Sequence, residues 1–154
     1  MIAIIDYGAG NLQSVKKALD YLGEPNLITA KSSEIEAADA LILPGVGSFG
    51  DAMQSLSDSG LLETVRAAAL SDTPFLGICL GLQLLFPESE ESKGVKGLGV
   101  LPGKIIKFPG DMGLKIPQIG WNSINIREDC KLYAGVPQNA YVYFVHSYYL
   151  QAAA

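Results

Sequence analysis

The sequence predicts a three-layer α/β fold: a mostly parallel central sheet with helices on both faces. Apolar runs at 2–5, 40–43 and 75–78 are typical of strands that are buried on both faces of a parallel sheet. A glycine-containing segment and then a helical pattern follow each run. Strands and helices therefore alternate as far as Phe86, and this order predicts a parallel sheet covered by helices.

The first half of the chain can be assigned element by element. The first strand, Ile2–Ile5, leads through a glycine loop into an amphipathic helix that ends at Gly23. We expect the apolar face of this helix to contain Leu12, Val15, Leu19 and Leu22. The sequence further predicts, in chain order, a weak strand at 26–29, a short capped helix at 32–38, a strand at 40–43, helices at about 51–56 and 61–70, and a strand at 75–78 that leads into a leucine-rich helix.

The pattern changes after Phe86. Residues 87–94 are polar and acidic, which is typical of a solvated surface loop. From Val100 onward, short strands separated by Gly and Pro are predicted at 104–108, 123–126 and 140–146. Neither an internal repeat nor a linker is found, so we expect residues 1–154 to form a single domain.

Composition excludes several classes of function. Hydrophobic residues make up 49% of the chain and charged residues 18%, which indicates a globular protein. The net charge of −5 and the lack of a basic cluster argue against nucleic acid and anionic membranes as partners. No apolar run is long enough to span a bilayer, and the amino terminus does not resemble a signal peptide. Two cysteines without a C-x-x-C pair favour a reducing cytoplasm and predict no metal site.

The glycine loop after the first strand does not match a nucleotide-binding motif. Gly8 and Gly10 begin a dinucleotide pattern, but Gln13 occupies the place of the third glycine. The chain also contains no P-loop sequence. We therefore expect no cofactor.

Cys79 is the candidate nucleophile. It lies between an apolar strand and a helical run, with Gly77 and Gly81 two residues to either side, as in a nucleophile elbow. At the start of a helix, unpaired N–H groups and the positive end of the dipole favour a thiolate, and the N–H of Leu80 could stabilise an oxyanion. The alternative is that Cys79 is a small buried core residue, as most free cysteines are.

A glycine-rich loop, 44–50, follows the third strand. Such a loop at the carboxyl end of a parallel strand can turn backbone N–H groups toward a ligand. An ordinary turn is the alternative for this segment alone.

Five segments together resemble the class I (triad) glutamine amidotransferases, and within that class the glutaminase subunits of imidazole glycerol phosphate synthase. They are Asp6-Tyr7-Gly8-Ala9-Gly10-Asn11-Leu12, Pro44-Gly45-Val46-Gly47-Ser48-Phe49, Gly77-Ile78-Cys79-Leu80-Gly81-Leu82-Gln83, Pro117-Gln118-Ile119-Gly120-Trp121-Asn122 and Phe144-Val145-His146-Ser147-Tyr148-Tyr149. The resemblance implies a flavodoxin-like arrangement of the sheet and a glutaminase without cofactor or metal.

The resemblance also implies roles for individual residues. Cys79 would attack the side-chain amide of glutamine, release ammonia and form a thioester that water hydrolyses. The oxyanion would be stabilised by N–H groups of Leu80 and of the loop at Val46 and Gly47. The substrate would be bound by Gly45, Gln83, Glu91, Ser147 and Tyr148, with Glu91 facing the α-ammonium group.

A partner subunit is implied as well. In the family, a TIM-barrel cyclase forms a heterodimer with the glutaminase and uses the ammonia to make imidazole glycerol phosphate and an aminoimidazole carboxamide ribotide in histidine biosynthesis. Gly8, Asn11, Trp121 and Asn122 resemble its docking surface. A core position is the alternative for Trp121.

The sequence departs from the family pattern at the catalytic base. The family has a His-Pro-Glu segment downstream of the strand that corresponds to 140–146, and this segment is not found in the 154 residues. The only histidine, His146, matches a strand histidine that is not the catalytic one. We therefore expect a sequence truncated at its carboxyl end, with little glutamine hydrolysis by this chain alone. There are two alternative functions: a catalytically inactive partner-binding module, and a different cysteine enzyme with His146 as base.

Overall fold

The computed structural model describes residues 1–111 and 113–153. Within them the chain forms, in order, β1 (Ile2–Ile5), α1 (Leu12–Leu22), β2 (Asn26–Thr29), α2 (Ser32–Glu36), β3 (Ala40–Gly45), α3 (Phe49–Asp58), α4 (Leu62–Leu70), β4 (Phe75–Cys79), α5 (Leu80–Gln83), β5 (Gly103–Lys107), β6 (Gln118–Ser123), a 3-10 turn (Lys131–Tyr133), β7 (Tyr141–His146) and β8 (Tyr148–Ala152). The contacts divide the chain into two compact units, one of residues 1–106 with those from Leu150 onward, the other of 107–149. That one domain covers 1–154 stays a prediction.

The first unit is built on a four-stranded parallel sheet with the order β2-β1-β3-β4. The predicted α/β class with a mostly parallel sheet is therefore confirmed. The chain places β2 on one side of β1 and β3 on the other, so the direction of winding reverses between β1 and β3. In open α/β sheets a ligand crevice lies at this reversal, at the carboxyl ends of the strands.

Strands β1 and β3 are buried on both faces, whereas Leu76 and Ile78 of β4 are 38% and 36% exposed, so β4 is more exposed than its apolar run predicted. Because side chains alternate along a strand, Ile4 and Ile42 share one face, where they pack with Leu19 of α1. Ala3, Ile5, Leu41 and Leu43 lie on the opposite face and are at most 1% exposed. Leu22 is an exception to the predicted apolar face of α1: it is 68% exposed, because it is the last helical residue before the left-handed Gly23, where the chain turns toward β2.

Three helices differ from the sequence-based expectation. Helix α2 ends at Glu36 rather than at 38 and has no side-chain cap. Helix α3 begins at Phe49 rather than near Asp51, because the Ser48 side chain accepts a hydrogen bond from Asp51 N and caps the first turn. Helix α5 is only four residues long, although the leucine-rich run predicted a helix as far as Phe86. The leucines after it are buried in irregular backbone, so burial rather than helical periodicity explains their pattern.

The second unit contains the antiparallel pair of β6 and β7, in which Trp121 lies opposite Tyr143. The strand expected at 123–126 is wrong in position, since β6 covers 118–123. Gly120 in its centre has a φ of +145°, a conformation that glycine permits. Among the described residues, none of the helices is long and apolar enough to cross a membrane.

Candidate active site

Cys79 is the last residue of β4 and has a strained backbone. Its φ of 54° and ψ of −113° lie outside the regions that L-residues normally adopt. Helix α5 starts at the next residue, so the chain changes from strand to helix across this single turn. The thiol is exposed and not in a disulfide, which rules out the alternative of a small buried core residue. The strand–turn–helix elbow is confirmed, although the shortness of α5 leaves few aligned peptide dipoles behind the sulfur.

Glycines allow α5 to fold directly onto the sheet. A Cβ atom on Gly81 would lie 1.8 Å from the carbonyl oxygen of Leu43, and one on Gly77 would lie 2.5 Å from Leu82 Cα. A Cβ on Gly45 would lie 2.6 Å from the backbone nitrogen of Gly81. Side chains at these three positions would push α5 away from β3 and β4, so the glycine spacing of the elbow follows from the packing.

The elbow lies beside the glycine-rich loop. In the parallel pair of β3 and β4, Cys79 is the register partner of Gly45. Neighbouring strands are about 4.8 Å apart, so Cys79 lies next to the point where the loop leaves the sheet. Since Cys79 is exposed as well, a ligand can reach both.

The predicted oxyanion donors come from two elements. Leu80 is the first residue of α5, where a backbone N–H has no acceptor within the helix. Val46 and Gly47 belong to the loop; Val46 is 57% exposed, and Gly47 has a φ of 93° with nothing within 4 Å of a Cβ position. The two elements are therefore adjacent through the pairing of β3 with β4, and the donor roles of all three residues stay predictions.

Gln83 has an unsatisfied acceptor. Its side-chain Oε1 is buried and has no hydrogen-bond partner within the part of the chain that the structure describes. An unpaired buried polar atom costs about 1–3 kcal/mol, so this oxygen is a favourable position for a donor from a ligand. Gln83 is also the last residue of α5, one helical turn after Cys79.

Glu91 contacts the start of helix α3. Its Oε2 accepts a hydrogen bond of 2.8 Å from Phe49 N, and it is only partly buried. A carboxylate can accept several hydrogen bonds, so this contact leaves capacity for another donor. Binding of an α-ammonium group by Glu91 stays a prediction, but the residue has a structural contact that the sequence did not indicate.

The loop after β1 contacts the end of β3. Tyr7 is buried, and its hydroxyl donates a hydrogen bond of 2.9 Å to the carbonyl oxygen of Pro44. Burial raises the pKa of Tyr7 to about 12. A Cβ on Gly10 would lie 3.1 Å from Pro44 Cβ, so only glycine allows this approach. The predicted docking residues Gly8 and Asn11 lie in the same loop and are exposed.

The family model of glutamine amidotransferase class-I matches residues 3–154. The chain belongs to the class I glutamine amidotransferases. Imidazole glycerol phosphate synthase subunit HisH of Desulfitobacterium hafniense is 51% identical over 97% of this chain and 70% of the relative. HisH of Methanocaldococcus jannaschii is 52% identical over 97% of this chain and 74% of the relative.

Solved structures support the same fold. A crystal structure of a glutamine amidotransferase matches with a TM-score of 0.73 and 18% identity, over 100% of this chain and 76% of that one. A glutamine amidotransferase from Thermotoga maritima matches with a TM-score of 0.61 and 18% identity, over 98% of this chain and 62% of that one. The resemblance that the motifs indicated is thus confirmed at the level of family and fold.

The remaining predicted residues of this amidotransferase lie in or at the border of the second unit. The carbonyl oxygen of Ser147 accepts a hydrogen bond from Phe108 N, and that of Tyr148 lies 2.8 Å from His146 Nδ1. Trp121 is 65% exposed and packs edge-on against Tyr143, so the alternative of a core tryptophan is wrong for the described chain. Asn122, its neighbour, is also exposed.

His146 has the contacts of a structural residue. Its Nδ1 forms a hydrogen bond with the Tyr148 carbonyl oxygen, and its ring packs against Phe108 and Phe144 with centroid distances of 5.1 and 5.5 Å. These contacts account for the residue without a role in proton transfer.

Sequence reasoning missed two groups near the site. Tyr7 was noted only as part of a motif, and Ser92 only as part of an acidic segment, yet Tyr7 holds Pro44 and Ser92 accepts a hydrogen bond from Gly50 N. The signal for Tyr7 was its position at the carboxyl end of a buried strand. In residues 1–111 and 113–153, no cluster of His, Cys, Asp or Glu could hold a metal ion.

Proposed function

We propose that the chain is the glutaminase subunit of an imidazole glycerol phosphate synthase. The observation that carries the proposal is the pairing of Cys79 with Gly45, which brings an exposed thiol on a strained elbow next to a loop of backbone N–H donors. Two relatives that are 51% and 52% identical over 97% of this chain are each described as imidazole glycerol phosphate synthase subunit HisH.

The proposed reaction converts glutamine and water to glutamate and ammonia. The deprotonated sulfur of Cys79 adds to the side-chain amide carbon, and the N–H groups of Leu80 and of the Val46–Gly47 segment stabilise the negative oxygen. The nitrogen of the tetrahedral species takes up a proton, the carbon–nitrogen bond breaks, and ammonia leaves, so that a γ-glutamyl thioester remains on Cys79. Water then attacks the thioester carbon, the carbon–sulfur bond breaks, and glutamate is released.

Substrate-binding roles are proposed for the five residues that the family resemblance indicates. The unpaired Oε1 of Gln83 would accept an N–H of the substrate, and the carboxylate of Glu91 would pair with its α-ammonium group. Gly45, the register partner of Cys79, would contribute its backbone beside the sulfur. Ser147 and Tyr148 would bind the carboxylate end of the amino acid.

The proposed partner is a TIM-barrel cyclase subunit that receives the ammonia in a heterodimer. Gly8 and Asn11 in the first unit, and Trp121 and Asn122 in the second, would contribute to docking. An exposed tryptophan such as Trp121 is a typical anchor of a protein interface. We place the enzyme in the cytoplasm, where a reducing environment would keep both free cysteines as thiols.

One observation favours a second candidate, a partner-binding module without turnover. The single histidine of the sequence, His146, is engaged in structural contacts and is not available as an obvious base for the thiol. Such a module would retain the docking residues and the elbow but would not release ammonia.

Labelling of Cys79 tests the proposal. A chloroketone with the shape of glutamine should alkylate the sulfur of Cys79 with loss of chloride. The ratio of its rate constant to that of iodoacetamide should be higher at Cys79 than at a free thiol in solution. Peptide mapping by mass spectrometry locates the adduct. The Cys79→Ser variant should lose the fast alkylation by the chloroketone, whereas Cys130→Ser should leave it unchanged, because Cys130 is a free thiol outside the elbow.

The outcomes separate the candidates. Fast labelling with ammonia release in the presence of the cyclase supports the glutaminase, and fast labelling without any release supports the binding module. Equal labelling of Cys79 and Cys130, with no preference for the glutamine-shaped reagent, contradicts a glutamine pocket.

A further inference from the structure

The first turn of helix α3 is held by the segment that follows the elbow. The first N–H groups of a helix lack acceptors within it. Here Glu91 Oε2 accepts from Phe49 N at 2.8 Å and Ser92 Oγ accepts from Gly50 N at 2.9 Å, while Ser48 Oγ accepts from Asp51 N. Two of these three acceptors come from residues 42 positions away in the chain.

The same segment is attached to the exit of the nucleophile helix. Leu98 N and Val100 N donate hydrogen bonds of 2.8 Å to the carbonyl oxygens of Leu84 and Leu85, directly after α5. A Cβ on Gly97 would lie 2.0 Å from the Phe86 carbonyl oxygen and 2.9 Å from the Phe49 ring. Residues 87–100, which we call the connecting loop, therefore join the end of the elbow to the start of α3.

The glycine-rich loop lies between two fixed points. At one end, Gly45 packs against the Leu80–Gly81 backbone of α5. At the other end, the connecting loop fixes Phe49 and Gly50. Three residues, 46–48, lie between them, and the space next to Gly47 is open, since nothing lies within 4 Å of a Cβ position there. The orientation of the peptides in this loop must therefore depend on where its ends are held.

We propose that Ser92 is a positioning residue for the glycine-rich loop 44–50, which we call the oxyanion loop. Through Gly50 N it fixes the loop's far end relative to Cys79, so that the Val46–Gly47 peptide can face the developing oxyanion. This inference rests on the proposed glutaminase function. The acidic segment would then have two roles. Ser92 acts on the loop, and Glu91, which contacts the same turn of α3, also binds the substrate.

The test compares two reagents on the same sulfur. The ketone oxygen of the glutamine-shaped chloroketone would lie in the oxyanion site, whereas iodoacetamide alkylates the thiol without that site. Removal of one oxyanion donor costs about 100-fold to 1,000-fold, and a misplaced donor loses part of this. We expect Ser92→Ala to lower the ratio of chloroketone to iodoacetamide rate constants at Cys79 about tenfold.

A matched control removes a similar serine at the other end of α3. Ser59 Oγ donates to the carbonyl oxygen of Leu56 and accepts from Leu61 N, far along the helix from the oxyanion loop. Ser59→Ala should leave the ratio of rate constants unchanged while it removes hydrogen bonds of the same kind. A loss of stability alone would affect both variants.

A second variant reaches the same contact from the opposite side. A Cβ on Gly50 would lie 2.9 Å from Ser92 Oγ, so Gly50→Ala should displace the hydroxyl and lower the ratio as well. Alanine is the better helix former, so an effect on labelling would not come from a weaker helix.

Amide hydrogen exchange keeps the two proposals distinguishable. In Ser92→Ala, but not in Ser59→Ala, the amides of 46–50 should exchange faster. If the unaltered chain shows no preference for the chloroketone, the glutaminase function fails and the exchange result alone decides on the loop. Unchanged exchange at 46–50, or an unchanged ratio in a chain that labels selectively, overturns the role of Ser92.

Discussion

The two units of the chain differ in where they place their apolar side chains. In the first unit, Ile4, Ile5 and Leu43 are fully buried by strands and helices on both sides. In the second, no described residue from 107–111 or 113–149 is buried, and Trp121 and Val145 are 65% and 58% exposed. A parallel sheet covered by helices can hold a strained turn such as the one at Cys79 in place, whereas a two-stranded sheet leaves apolar side chains exposed.

The largest expected difference between the units concerns stability. Leu43→Ala should lower the free energy of unfolding by about 2–5 kcal/mol, because it leaves a cavity in the core of the first unit. Val145→Ala in the second unit should change it by no more than about 0.5 kcal/mol. Urea denaturation followed by circular dichroism measures both, and equal costs would remove the contrast between the units.

A glycine pair sharpens the comparison at the level of backbone packing. Gly81→Ala should destabilise the protein by about 3 kcal/mol, because its Cβ would overlap the Leu43 carbonyl oxygen and displace α5. Gly110→Ala in the second unit should be nearly neutral, since nothing lies within 4 Å of its Cβ position. Thermal unfolding of the two variants decides the matter; a tolerated alanine at 81 would show that the elbow does not need contact with β3.

The pH dependence of stability reports on a buried group of the first unit. Burial raises the pKa of Tyr7 to about 12, while the unfolded chain ionises near the ordinary value of 10.0. The unfolded state therefore loses its proton first, so this contribution is complete below pH 10 and is lost as the pH rises toward 12. The loss should reach about 2 kcal/mol and be absent in Tyr7→Phe. Denaturation curves between pH 9 and 11.5 measure it, and identical slopes in both proteins would contradict the assignment.

The smallest effect on stability is expected at the exposed tryptophan. Trp121→Ala should change the free energy of unfolding by no more than about 0.5 kcal/mol, because the side chain is largely in solvent. The affinity of this variant for a cyclase subunit should fall by about 2 kcal/mol, or roughly 30-fold, if Trp121 anchors the interface. Titration calorimetry with the cyclase measures the affinity, and an unchanged value would exclude Trp121 from the docking surface.

The parts of the fold that local pattern dictates were predictable. The strands at 2–5, 40–45 and 75–79 follow from continuous apolar runs, and the turn at Cys79 follows from its flanking glycines. The second unit was harder, because its strands are exposed on both faces and alternation carries no information about burial. The position of β6 was missed for this reason, since Gly120 and Asn122 are poor strand formers in isolation.

The details of the site depend on contacts that no local pattern contains. Ser92 and Gly50 are 42 residues apart, and Gln83 Oε1 lacks a partner only because of how α5 packs. The short α5 was also unpredictable, since buried leucines in irregular backbone have the same composition as a buried helix.

The register that joins Cys79 to Gly45 makes the reactive centre sensitive to the length of its strands. Successive side chains of a strand point to opposite faces, so a deletion of one residue within 75–79 would move the sulfur to the other face of the sheet, and a deletion within 41–45 would change which residue pairs with Cys79. Substitutions that preserve the count can be accommodated by repacking of neighbours. Shortening either strand by a single position would instead move the thiol relative to the glycine-rich loop, even in a protein that still folds.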